Sequence, residues 1–171
     1  YVTVFIFIVM GICQGMQPIL GYNYGSGQYS RLFRTLRIAA LSAMTVTTVG
    51  AIIAQIFPRG IASMFMQDEA QISAAVNCLS ITTVSFWLVG FQIVCTNFFQ
   101  SLGMAGKAIF LSLTRQIIFM VPLILILPDM FGLNGIWSAF PISDSVSTVL
   151  AIILVLWQIK RIKKLSSPAI S

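Results

Sequence analysis

The sequence contains no histidine and few charged residues, with 10 basic and 4 acidic side chains among its 171 residues. The absence of histidine excludes imidazole-based catalysis and histidine metal ligands within this chain. Cysteine is also scarce. The three cysteines, Cys13, Cys78 and Cys95, all lie inside apolar runs, and their spacing is too wide for a local metal site. We therefore interpret them as small buried hydrophobic residues.

The shortage of charge identifies the class of protein. A soluble domain carries roughly a quarter charged residues, whereas this chain has 8% charged and 58% hydrophobic residues. Its uncharged runs reach ~20 residues or more, which is the length of a transmembrane helix; the strands of a membrane barrel are ~10 residues long with alternating polarity. The predicted fold class is therefore all-α, a polytopic bundle of membrane helices.

Charged residues, prolines and glycines divide the chain into five predicted spans. They are placed at 1–20, 38–57, 81–102, 108–127 and 133–158, and a basic tail follows at 159–171. Residues 71–80 are polar enough to be either a helical extension of the third span or a surface turn. Because the chain begins inside an apolar run, without an initiator methionine or a signal peptide, we expect it to be a fragment cut within a helix.

The basic residues fall almost entirely on one side of the predicted membrane. That side carries nine of the ten cations, namely Arg31, Arg34, Arg37, Lys107, Arg115, Lys160, Arg161, Lys163 and Lys164. The other side carries Arg59 with Asp68, Glu69 and Asp129. The positive-inside rule places the first loop and the tail in the cytoplasm of a multi-pass cell-membrane protein. Topology and the lipid bilayer explain the net charge of +6, and no nucleic-acid partner is needed.

Residues 14–27 contain amide side chains, a proline and glycines at the C-terminal end of the first span. Polar groups and helix breakers raise the free energy of a helix inside a membrane. Proline can loosen a helix end, and glycine permits the positive φ angles of a tight turn. We interpret the stretch as a hinge and turn at a cytoplasmic gate, formed by Pro18, Gly21, Asn23, Gly25 and Gly27. Arg31, Arg34 and Arg37 follow at intervals of three, and we expect them to anchor the next span at the headgroup level. A specific site for an anionic ligand is the alternative.

Asp144 is the only acidic residue within a predicted span, where a carboxylate costs roughly 2.5–3.5 kcal/mol on insertion scales. One interpretation is that it relays a proton or a cation, or contacts a cationic substrate. The alternative is that it pairs with Arg115 or caps the helix break near Pro141. Arg115 lies nearer the cytoplasmic end of its span and can extend toward the headgroups, which makes it a further candidate anchor.

Two pairs of amide side chains also lie within the spans. Gln14 and Gln17 are three residues apart on one helical face, as are Asn97 and Gln100. Interhelical hydrogen bonding is the commoner use of such residues in membranes. The alternative is that they line a water-filled cavity. With Asp144, these four amides are the candidate residues for ion coupling or for the cavity.

No pattern of an enzyme is present in the sequence. The glycines at 25 and 27 follow no strand, so they do not form a nucleotide-binding fingerprint. Ser143 and Ser145 flank Asp144 but have no histidine partner for nucleophilic catalysis. We expect neither a metal nor an organic cofactor.

Three stretches together resemble one known family. They are Gln-Pro-x-x-Gly-Tyr-Asn-Tyr-Gly-x-Gly at 17–27, the segment 101–115, and Phe-Gly-Leu-Asn-Gly-Ile-Trp-Ser-Ala-Phe-Pro-Ile-Ser-Asp at 131–144. They are similar, in the same order, to parts of the MATE (multidrug and toxic compound extrusion) family, in its bacterial DinF/MepA-like branch. The resemblance implies twelve helices in two six-helix lobes, of which this chain would supply helices eight to twelve, most of the C-terminal lobe.

The resemblance also implies a function. MATE proteins export cationic, lipophilic drugs in exchange for protons or sodium by alternating access of two lobes. The missing N-terminal lobe would then be a partner of this chain, which alone would be inactive, and the coupling ion, H⁺ or Na⁺, stays open. Two alternatives remain. A lipid-linked oligosaccharide flippase of the related superfamily would be expected to carry more intramembrane cations than Arg115 alone, and a non-transporting membrane scaffold would use the polar groups only for packing.

Overall fold

Five long helical segments make up most of the chain, and each contains all or nearly all of one predicted span. The computed structural model describes residues 1–166. All five are long and apolar enough to cross a membrane, and their ranges are Val2–Gly25, Tyr29–Ile56, Glu69–Ser101, Ala105–Phe131 and Leu133–Lys164. The prediction of an all-helical bundle with five spans is confirmed. Every segment begins earlier or ends later than predicted, because its polar ends continue as helix beyond the hydrocarbon core.

The turn after the first span is shorter than the sequence predicts. Helix α1 (Val2–Gly25) continues to the end of the glycine motif, and α2 begins only a few residues later (Tyr29–Ile56). Of the motif glycines, Gly27 alone has a positive φ, of 72°. The expectation of positive φ at Gly21 and Gly25 is wrong, because both are helical.

The predicted hinge residues have other surroundings within α1. Gly21 is a point of close approach, since a Cβ there would lie 3.3 Å from the Ser101 carbonyl oxygen. Pro18 is exposed inside the helix. Asn23 is buried, and its side-chain amide donates to the Ile19 carbonyl at 2.8 Å.

The third span is a broken helix. A short helix, α3 (Pro58–Ser63), was not predicted and precedes α4 (Glu69–Thr82). A single 3₁₀ turn, Thr83–Ser85, then leads into α5 (Phe86–Ser101). The polar stretch 71–80 is therefore a helical extension, which was one of the two alternatives. In the break, the Thr83 hydroxyl donates to the Leu79 carbonyl at 2.7 Å.

The fourth span is also irregular, whereas the fifth is one continuous helix. Helices α6 (Ala105–Leu113) and α7 (Val121–Phe131) are joined by a π-helical segment, Thr114–Met120. Helix α8 (Leu133–Ser166) contains Pro141 and continues through the first part of the predicted tail. The rest of that tail, 167–171, lies outside the described residues.

Helix α5 lies at the centre of the bundle and packs against α1, α2, α6 and α8. Two of its phenylalanines, Phe98 and Phe99, are fully buried and belong to the core that α5 shares with these helices. Many large apolar side chains remain on the outer surface, as expected where lipid and not water surrounds the protein.

Candidate functional site

Asp144 is buried on α8 and forms a polar cluster with two other side chains. It is 5% exposed. The Arg115 Nε donates to its Oδ1 at 2.8 Å, and the Ser85 hydroxyl donates to its Oδ2 at 3.3 Å. We call Ser85, Arg115 and Asp144 the polar triad. The ion pair is one of the alternatives that the sequence left open for Asp144.

Two residues of the triad lie in departures from regular α-helix, and the third follows a proline inside a continuous helix. Ser85 ends the 3₁₀ turn before α5, Arg115 lies in the π-helical segment, and Asp144 comes just after Pro141. Such irregularities recur at functional sites because they free backbone groups and reorient side chains. Here Ser143 donates to the Arg115 carbonyl at 2.9 Å, and Thr148 donates to the Asp144 carbonyl at 2.6 Å. The triad therefore joins three transmembrane segments, two of them at their irregular points.

The electrostatics of the triad depend on pairing. A lone carboxylate in an apolar interior is costly, and a single cation with good geometry offsets much of that cost. Arg115 supplies that cation, and Ser85 satisfies the second oxygen of Asp144. The arginine side chain is more exposed than the aspartate, at 28% against 7%. Arg115 therefore connects the buried acid with a less buried region.

That region is a polar cleft between α1, α5 and α6, with a volume of about 350 Å³. Its lining residues are Ile6, Met10, Val89, Gln92, Ile93, Thr96, Asn97, Gln100, Ser112, Arg115 and Gln116. Arg115 is the one charged residue among them. Gln92 is buried, and its Oε1 has no hydrogen-bond partner among the described residues. The cleft thus presents several amides and one guanidinium, which is itself bound to Asp144.

The four predicted amide residues differ in their location and contacts, although the sequence spaces them as two similar pairs. The Gln17 side chain on α1 donates to Asn97 Oδ1 at 2.7 Å, so this contact joins α1 to α5. Asn97 and Gln100 line the cleft. Gln14 is exposed and is not among the cleft residues, because its side chain lies on another part of the α1 surface. The role of all four in coupling stays a prediction.

The predicted anchors also separate into two groups. Arg31, Arg34 and Arg37 are exposed on the first turns of α2, where an anchor at the headgroup level would lie. Arg115 instead contacts Asp144 inside the bundle and is itself half-buried. The position of Arg115 within its span was compatible both with extension toward the headgroups and with pairing to Asp144.

Sequence reasoning missed the uncharged partners of the charged residues. Ser85, Ser143 and Thr148 surround the ion pair, and Lys107 donates to Gln158 at 2.5 Å near the other end of α8. The run of hydroxyl residues in an otherwise apolar span, from 143 to 148, was the available signal. Within residues 1–166, no group of three potential metal ligands lies together.

Comparison with known proteins gives consistent results. The MatE family model matches residues 1–126. The multidrug export protein MepA of Staphylococcus saprophyticus is 23% identical over 148 residues, which is 86% of this chain and 32% of that protein. The chain therefore spans about a third of the length of the curated relatives it matches.

Solved structures show the same relationship. The MATE multidrug transporter DinF-BH is 44% identical, with a TM-score of 0.81 over 86% of this chain and 33% of that chain. An inward-facing MATE transporter of the MOP superfamily is 19% identical, with a TM-score of 0.88 over 97% of this chain and 39% of its own, and it supports the fold alone. Because the family model covers most of the chain and five helices are long and apolar enough to cross a membrane, this multi-pass membrane protein belongs to the MatE family.

Proposed function

We propose that this chain forms most of the C-terminal lobe of a multidrug antiporter, which exports cationic, lipophilic compounds in exchange for protons or sodium. The observation that carries the proposal is the link between the polar triad and the polar cleft. Arg115 belongs to both, so a change at Asp144 alters the charge that the cleft presents. The names of the relatives support multidrug export, and the family membership supports alternating access of two lobes.

The triad provides a physical reason for exchange. While Asp144 is ionised, it neutralises Arg115 and the cleft is compatible with a cation. When a proton or Na⁺ binds the carboxylate, the guanidinium is left uncompensated and repels a cationic compound in the cleft. Two unit charges about 8 Å apart interact by about 2 kcal/mol at an effective dielectric constant of about 20, which corresponds to roughly thirtyfold in affinity. The coupling ion and the exported cation therefore weaken each other's binding.

The cleft amides complement this role. Gln92 offers an acceptor oxygen without a protein partner among the described residues, and Asn97 and Gln100 add further polar groups. Amide oxygens bind an ammonium group or a cation without adding a fixed charge. In a lipid-linked oligosaccharide flippase, a free cation would be needed for the pyrophosphate, but Arg115 is already paired. The contacts thus favour a cationic substrate.

Efflux from cells tests the proposal. The full-length transporter that contains this chain is expected to lower the accumulation of ethidium, a fluorescent lipophilic cation, several-fold in cells that lack their own exporters. A proton gradient or a sodium gradient, imposed separately, should identify the coupling ion. A transport-inactive variant of the same protein provides the control. Equal accumulation with and without the transporter under both gradients would contradict the antiporter function.

We also propose that the side with nine cations faces the cytoplasm, because of the strong asymmetry of charge. Single cysteines in a cysteine-free variant test this orientation with a membrane-impermeant thiol reagent. Gly60→Cys and Asp129→Cys should react in intact cells, whereas Ser30→Cys and Gly106→Cys should react only after the membrane is opened. The reverse pattern would exclude the proposed orientation.

A further inference from the structure

A groove on the outer surface, between α2 and α8, has apolar walls and two cations at one end. Its volume is about 470 Å³, and it is separate from the polar cleft. We propose that this groove binds an anionic phospholipid, with one acyl chain between the two helices and the phosphate at the basic end. The site does not depend on the transport function proposed above.

The groove exists because α2 and α8 both pack on α5 and touch each other only weakly. Phe91 of α5 lies at its base. On α2, the face that lines it repeats at helical spacing through Phe33, Arg37, Ala40 and Met44. The small side chain of Ala40 leaves room between larger neighbours. An elongated apolar space therefore lies between the two helices on the surface of this part of the chain.

The matching face of α8 contains Val155, Ile159 and Lys163, again four residues apart. Arg37 lies near the start of α2 and Lys163 near the end of α8, so the antiparallel helices bring both cations to the same end of the groove. Both side chains are exposed and so are free to contact a headgroup.

A second hollow, with a volume of about 700 Å³, shares Lys163 with the groove and strengthens the positive charge there. Its lining residues are Trp157, Lys160, Arg161, Lys163 and Lys164. The Arg161 guanidinium carbon lies 5.7 Å from the ring centre of Trp157, and Lys107 Nζ of α6 lies 4.6 Å from the same ring centre. Tryptophan and basic residues mark the level of the lipid headgroups in membrane proteins. The charge thus lies where a phosphodiester would lie.

The apolar walls select a lipid and not a free anion. From Arg37 to Met44 the α2 face rises about 10 Å, and the residues between them on this wall are apolar. A free phosphate would use only the basic end. An anionic phospholipid uses both parts of the groove. Its acyl chain packs against the apolar walls, and its phosphate neutralises the cations.

Lipid binding to the purified full-length transporter tests the proposal. Native mass spectrometry would count the phosphatidylglycerol retained against phosphatidylcholine of the same chains. Two variants address the two parts of the site: Arg37→Gln with Lys163→Gln removes the charges, and Ala40→Trp fills the apolar groove. The matched control is Arg31→Gln with Arg34→Gln, which removes the same charge from exposed positions of α2 that line neither the groove nor the second hollow.

We expect both site variants to reduce phosphatidylglycerol retention roughly tenfold, because each basic residue contributes to anionic-lipid attraction, while the control retains it. Inorganic phosphate should not displace the lipid. Equal losses in the charge variant and its control would overturn the proposal in favour of diffuse surface attraction. If Ala40→Trp retained as much phosphatidylglycerol as the unmodified protein, or if inorganic phosphate displaced the lipid, the groove would be an anion site only and the proposal would be wrong.

Discussion

Asp144→Asn is expected to reduce drug efflux at least tenfold and to remove its dependence on the driving ion. The substitution keeps the size of the side chain and can still accept a hydrogen bond, but it removes the charge that pairs with Arg115. The guanidinium then stays uncompensated beside the cleft in every state, so ion binding no longer changes the affinity for a cation. Ethidium efflux, measured across a range of pH and sodium concentration, reports this loss.

The matched control for transport is Asp129→Asn. This residue is exposed near the end of α7 and lies outside the polar triad. We expect its efflux to equal that of the unmodified protein at the same expression level. If Asp144→Asn exports at the normal rate with normal ion dependence, the triad has no part in coupling.

Stability separates a structural role from a transport role. Breaking a buried ion pair by removing one partner typically costs about 3–5 kcal/mol, whereas exposed pairs contribute little. The chain contains one pair of each kind within residues 1–166, since Arg59 and Glu69 form an exposed ion pair. Asp144→Asn should therefore lower the thermal midpoint far more than Glu69→Gln.

The double variant Asp144→Asn with Arg115→Gln completes the comparison. Removing both charges should recover much of the lost stability, because no uncompensated charge remains in the interior. It should not recover ion-dependent transport. Full recovery of both stability and coupled efflux would mean that the pair serves packing alone.

Gly135→Ala is expected to destabilise the bundle by about 3 kcal/mol, at the upper end of the usual cost of overpacking. A Cβ at this position would lie 2.3 Å from the Leu127 carbonyl oxygen and 2.6 Å from its carbon. These are backbone atoms, so the start of α8 would have to move away from α7.

Gly90→Ala should cost about 2 kcal/mol, because its Cβ would lie 2.8 Å from the Ala43 carbonyl oxygen, where α2 meets α5.

Gly11→Ala and Gly15→Ala are the matched controls for these substitutions. Both glycines are helical, and an added Cβ meets no atom within 4 Å. We expect no loss of stability there, since alanine favours helix over glycine. Thermal unfolding of the detergent-solubilised full-length protein would compare the four variants. A Gly135→Ala midpoint equal to that of the controls would contradict the close contact between α7 and α8.

Much of the site was predictable as a set of residues but not as an arrangement. Asp144 and Arg115 were identified because charge is rare in membrane spans, and their pairing was one open alternative. Ser85 was not identified, since a hydroxyl is common in such helices. The separation of Gln14 from Gln17 also could not be predicted, because a shared helical face still covers a wide arc, and only the neighbouring helices decide which part is covered.

The sequence by itself determined the class, the five crossings and the family resemblance, because the length of an apolar run and the position of charge are local properties of the chain. Only the tertiary structure decided that Arg115 and Ser85, 29 and 59 residues from Asp144, meet at one point. That meeting depends on the rotation of each helix about its axis. Packing against the neighbouring helices sets those rotations, and no local pattern in the sequence specifies them.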